Sequence, residues 1–115
     1  MPDERSSLSV RAYRAAIQKE AARHQSFRLY IAGNTPTSIR AVRNAKRLCD
    51  AHFPGHYRLM VVDIHQRPEL AKSDHILATP TLVRSRPSPS RRLIGDLSDE
   101  TRFCANLGVP NPCRP

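Results

Sequence analysis

At 115 residues and 13.0 kDa, with 39% hydrophobic residues, the chain has material for one domain with one modest core and not for two. The net charge of +9 is concentrated between residues 27 and 97, where twelve Lys and Arg face five acids, so the expected partner carries an acidic surface. Aromatics at 5% and the lack of any zinc-finger, RRM or KH pattern argue against nucleic acid. No apolar run nears the ~20 residues of a membrane span and no h-region follows Met1, so the expectation is a cytoplasmic protein without a membrane partner.

Residues 1–26 read as an N-terminal extension. Val10, Tyr13, Ile17 and Ala21 recur at helical spacing behind Ser9, a good N-cap, which outlines a short amphipathic helix with a thin apolar stripe; a frayed tail is the alternative. The folded unit is expected from Phe27 to Gly108. Phe27, Leu29 and Ile31 alternate with Arg28 and Tyr30, the pattern of a strand with one apolar face. Gly33-Asn34 ends it, Thr35 is placed to cap a helix, and Pro36 suits the first helical position, whose N–H would have no intrahelical partner.

In that helix Ile39, Val42, Ala45, Cys49 and Phe53 form the predicted apolar stripe, while Arg40, Arg43 and Arg47 form a basic one. Pro54-Gly55 stops it. Tyr57–Ile64 is nearly continuously apolar and predicts a second strand buried on both faces and parallel to the first, as a strand–helix–strand unit requires. Residues 68–76 read as a short helix or turn. Thr81-Leu82-Val83 predicts a third strand and Leu93-Ile94 a fourth, joined through Arg86–Ser90, whose two prolines cannot donate to a ladder. Ser98 is the expected cap of a last helix that runs to about Leu107, and residues 109–115 are a Pro-rich tail. The order βαβ, short α, ββα is a thioredoxin-like α/β pattern.

In enzymes of that architecture, the turn between the first strand and its helix carries a thiol whose pKa the helix N-terminus lowers. Here the turn reads Gly33-Asn34-Thr35-Pro36 and holds no sulfur, so thiol–disulfide exchange has no attacker at that place. Thr79-Pro80 occupies the position of the fold's cis-proline loop, which makes Pro80 a cis candidate. Cys49, Cys104 and Cys113 are far apart, with no CxxC pair and no His at metal-ligand spacing; Cys49 reads as a core residue and Cys113 as an exposed thiol. His52 and His56 flank a turn without a Cys or acidic neighbour at such spacing, and Asp63 reads as a strand-end polar residue. Neither a catalytic set, a metal site nor a cofactor is expected.

Three strings, Leu29-Tyr30-Ile31-Ala32-Gly33-Asn34-Thr35-Pro36, Ile76-Leu77-Ala78-Thr79-Pro80-Thr81-Leu82 and Arg91-Arg92-Leu93-Ile94-Gly95-Asp96-Leu97-Ser98, in this order and spacing, closely resemble the KaiB family over residues 27–104. The resemblance implies a non-enzymatic regulator that binds a KaiC-type ATPase and modulates its phosphorylation or a clock or stress signalling cycle, with further clock or signalling proteins as partners. It also implies a metamorphic chain, with an oligomeric ground state (dimer or tetramer) whose C-terminal half is not thioredoxin-like and a thioredoxin-like monomer that binds the ATPase. Gly95 and Asp96 match the family's switch region, and Arg40, Arg84, Arg91 and Arg92 match basic positions implicated in its interactions. The N-terminal extension and the short C-terminal end depart from the family pattern. The competing readings are a degenerate thioredoxin-like redox protein using Cys49 or Cys104, a KaiC-binding sensor domain of the kind found in the clock histidine kinase, and a nonspecific nucleic-acid binder.

Overall fold

Strand β1 (Gln25–Ile31) is the centre of the fold in the computed structural model, which describes residues 10–12 and 24–109. Residues 10–12 are helical with Val10 exposed; the rest of the predicted N-terminal helix and the Cys113 tail lie outside the described residues. β1 begins two residues before the expected start because the Gln25 N–H donates to His56 O (2.8 Å), which extends the pairing to the turn before the next strand. Phe27, Leu29 and Ile31 are buried on one face as predicted, but Tyr30 is fully buried too, on the other. The sheet is therefore covered on both sides. Tyr30, Val62 and Val83 form a second, smaller core with Ile64, Leu70, Ala71 and Ile76.

Helix α1 (Pro36–His52) starts as expected: Thr35 Oγ1 accepts the Ser38 N–H (3.1 Å), and Pro36 takes the first helical position. Its buried stripe is Ser38, Ala41, Ala45, Leu48 and Cys49, which keeps Ala45 and Cys49 of the predicted one, whereas Ile39 is 48% exposed and Val42 only partly buried. The small side chains of Ser38, Ala41 and Ala45 let the helix backbone settle close to the sheet, and larger groups at those contacts would hold it off. Phe53, just past the helix, is buried as predicted and stacks in tilted geometry on Phe27, with centroids 5.9 Å apart.

β2 (Tyr57–Asp63) pairs in parallel with β1, in register from Gln25↔Tyr57 to Ile31↔Asp63. The expectation that it is buried on both faces is wrong. β2 is an edge strand, Met60 and Val61 are 45% and 43% exposed, and among its residues Val62 alone is fully buried. An apolar run signals a buried strand only where other elements cover both of its faces, and at this edge Met60 and Val61 are left open. α2 (Pro68–Ser73) is shorter than the 68–76 segment expected and lays Leu70 and Ala71 on the second core.

β3 (Thr81–Arg86) runs antiparallel to β1, and β4 (Arg91–Ile94) antiparallel to β3, giving the order β2-β1-β3-β4. The Thr79-Pro80 peptide bond is cis, as are Arg86-Pro87 and Ser88-Pro89 in the β3–β4 connection. Helix α3 (Glu100–Leu107) is capped by Asp99, whose carboxylate accepts the Arg102 N–H (3.1 Å), and not by Ser98. The Ser98 N–H donates to Asp96 Oδ1 (3.1 Å) in the turn that precedes the helix. Gly108 closes α3 in the left-handed conformation (φ 71°). α1 and α3 cover the larger core, where Phe103, Cys104 and Leu107 meet Leu48, Cys49, Phe53 and Leu93. No helix among the described residues is long and apolar enough to cross a membrane.

Candidate partner-binding surface

The turn from β1 into α1 is built from backbone and small polar groups. Gly33 has a positive φ (71°), and its N–H donates to Asp63 Oδ1 (3.3 Å), which also accepts the His65 N–H (2.9 Å). Asp63 thus ties the ends of the parallel pair together, in line with its reading as a strand-end residue. Thr81 pairs with Tyr30, so the cis-Pro80 loop lies beside the end of β1. No thiol is near this helix start in the chain. Cys49 is four turns along α1, fully buried, and burial pushes its thiol up to about 12, so it stays protonated at neutral pH and cannot attack a disulfide. Iodoacetamide at pH 8 is therefore expected to leave Cys49 unmodified in the folded chain and to label it once urea unfolds the protein. Rapid native-state labelling of Cys49, located by mass spectrometry, would revive the redox reading.

The four arginines divide into two groups. Arg40, Arg91 and Arg92 are exposed. Arg84 is buried at 7%, where its guanidinium donates to Pro89 O (2.9 Å) and Gln25 Oε1 (3.4 Å) and so braces the β3–β4 connection. Arg84, expected among the interaction residues, is turned inward in this structure and holds the turn that presents β4. Arg91 and Arg92 sit on that strand, which forms the sheet edge opposite β2, and alternation sends them to opposite faces. Arg92 donates to Asp74 O at the end of α2.

Arg40 meets the switch candidates. Its Nε donates to Asp96 Oδ2 (3.2 Å), Asn44 Nδ2 donates to Asp96 O (2.9 Å), and the Gly95 N–H donates to Pro80 O (2.9 Å). Residues 95–96 are thus pinned between α1 and the cis-proline loop. Gly95 has φ 120° and Leu97 φ 64°, both positive. Hydrogen bonding from Ser98, then from Arg40, holds the Asp96 carboxyl below the ordinary aspartate value. A lowered carboxyl pKa contributes stability above the unfolded value of about 4 and loses it as pH falls through the folded one, so this anchor stays intact throughout the neutral range.

Two clusters escape sequence reasoning. Asp74 receives Arg28 (3.2 Å) and the Tyr30 hydroxyl, joining the second core to α2. His52, which lacks a partner in sequence, has Glu100 Oε2 at 2.8 Å and Cys104 Sγ at 3.5 Å from its Nε2. The partners lie 44 to 52 residues apart along the chain, so no spacing rule signals them.

Comparison with known proteins places this architecture. The KaiB domain family matches residues 28–108. The circadian clock oscillator protein KaiB of Synechococcus elongatus is 49% identical over 82 residues, covering 71% of this chain and 80% of that protein. The protein of the same description from a Nostoc species is 48% identical over 82 residues, covering 71% and 76%. Among solved structures, the N-terminal domain of Synechococcus elongatus SasA superposes with TM-score 0.62 at 24% identity, covering 76% of this chain and 86% of that one. The thioredoxin Deadhead of Drosophila melanogaster gives 0.60 at 16% identity over 87% and 92%. These two likenesses establish the thioredoxin-like α/β fold.

Proposed function

From the premise that the chain belongs to the KaiB family, we propose that it is a non-enzymatic clock-type regulator that docks on a KaiC-type ATPase and modulates its phosphorylation or signalling cycle. The observation that carries this reading is the collinear family match over residues 28–108, which spans α1, α2, α3 and, except for the first three residues of β1, all four strands of the described sheet. The sulfur-free turn at Gly33–Pro36 and the protonated Cys49 support a binding role over a redox one. The docking surface is the basic β4 edge with Arg91 and Arg92, continued by Arg40 through its contact with Asp96. The binding form is the thioredoxin-like one, and a second, oligomeric packing of the C-terminal half competes with it.

Charge reversal tests the surface. Arg91→Glu and Arg40→Glu are each expected to weaken capture by the cognate KaiC-type ATPase by roughly fivefold, since one exposed ion pair is worth about 1 kcal/mol, with circular dichroism unchanged. The readout is biolayer interferometry with the purified ATPase in ATP at two salt concentrations. Unchanged affinity in both variants removes this edge from the interface. Failure of the unmodified protein to bind at all overturns the reading.

A further inference from the structure

We propose that His52, Glu100 and Cys104 form a binding site for a divalent transition-metal ion of the zinc type. His52 is the last residue of α1, Glu100 the first of α3, and Cys104 follows one helical turn later on the same face. His52 Nε2 lies 2.8 Å from Glu100 Oε2 and 3.5 Å from Cys104 Sγ, and one ligand atom from each residue falls within 4.8 Å of the others. The His52 side chain is 5% exposed and Cys104 is buried, while Glu100 reaches solvent.

The choice between a metal site and other readings turns on which ring nitrogen is used. A Cys–His–acid relay needs the acid on one imidazole nitrogen and the thiol on the other. Here both partners address Nε2, which holds either one proton or one lone pair. One cation placed among them receives all three. Tetrahedral Zn2+ with about 2.3 Å to sulfur and about 2.0 Å to nitrogen sets those two atoms about 3.5 Å apart, the separation seen. The carboxylate, free to swing at the exposed side, opens by about half an ångström to reach its own bond length of about 2.0 Å.

The mixed sulfur, nitrogen and oxygen set selects zinc or cobalt over magnesium or calcium, which demand oxygen alone. Phe53 and Phe103 flank the imidazole, with centroids at 6.5 and 5.7 Å, and fix its plane. Three protein ligands leave a fourth position for water. Binding displaces the Cys104 proton to solvent, and the resulting thiolate and carboxylate balance the two charges of the ion.

The test uses the full chain, stripped with chelator and titrated with Co2+. Expected are one equivalent bound, a sulfur-to-cobalt charge-transfer band in the near ultraviolet, and its displacement by Zn2+. Cys104→Ser should abolish that band, and Glu100→Gln should weaken Co2+ binding at least about tenfold while leaving the circular dichroism unchanged. Cys49→Ser and Cys113→Ser should keep the band. Absence of a charge-transfer band in the unmodified chain, its survival in Cys104→Ser, or unchanged affinity in Glu100→Gln overturns the site.

Discussion

Phe103→Ala is expected to remove about 3–5 kcal/mol of stability, the usual cost of deleting a fully buried aromatic ring and leaving a cavity. Phe103 has no exposed surface and joins Phe53 (centroids 6.5 Å apart), which in turn stacks on Phe27, so Phe53 at the end of α1 links the ring from α3 to the ring from β1. A domain of this size holds only about 5–15 kcal/mol in total, so the loss takes a large share of the whole stability. The measurement is urea unfolding followed by circular dichroism. Leu77→Ala, at a side chain 97% exposed, serves as the reference and should change stability by less than about 0.5 kcal/mol. A loss below about 1 kcal/mol in Phe103→Ala would mean that α3 does not pack this way in solution, and would count against the thioredoxin-like form as the dominant one.

Most elements were legible in the chain because their signals are local. Thr35-Pro36 at the start of α1, Gly108 at the end of α3 and the alternation of Phe27, Leu29 and Ile31 need only their neighbours to be read. What failed depended on distant residues. Whether Met60 and Val61 are buried depends on what packs over each face of β2, the edge strand among the described residues, and both stay exposed. Whether Ile39 or Ala41 faces the sheet depends on how closely the helix can approach it, which is set by side-chain size across the contact. Ser98 and Asp99 are both good caps, and in the structure it is the Asp99 carboxylate that accepts the Arg102 N–H.

The same division holds at the candidate surface. Arg91 and Arg92 were legible as exposed charges beside a short strand. Arg84, directly after the apolar pair Leu82-Val83 in β3, gave no sign that its guanidinium turns inward to Pro89 and Gln25. The contact of Arg40 with Asp96 joins a candidate docking residue to a switch candidate 56 residues away, and so couples the proposed docking edge to the segment proposed to refold. An ATPase that draws on Arg40 competes with Asp96 for it.

Gly95→Ala should shift the balance of packings away from the form described here. At φ 120° an L residue is strained by about 1–3 kcal/mol, and the added methyl group would meet nothing within 4 Å, so the whole cost is backbone conformation. On the proposed reading the C-terminal half has a second packing, and a residue there with ordinary φ bears no such cost. The thioredoxin-like fraction then falls by about 5- to 150-fold relative to its competitor, and the apparent affinity for the KaiC-type ATPase falls with it, because only that fraction binds. Gly55→Ala is the control. Gly55 also has a positive φ (75°) and open space around it, but it lies between α1 and β2, in the half common to both packings. It should lower stability against urea without changing the ratio of oligomer to monomer. Size-exclusion chromatography with circular dichroism and binding kinetics distinguishes the cases. Gly95→Ala that loses stability like Gly55→Ala, yet elutes as the unmodified protein does and binds at the same rate, would show a chain held in a single packing.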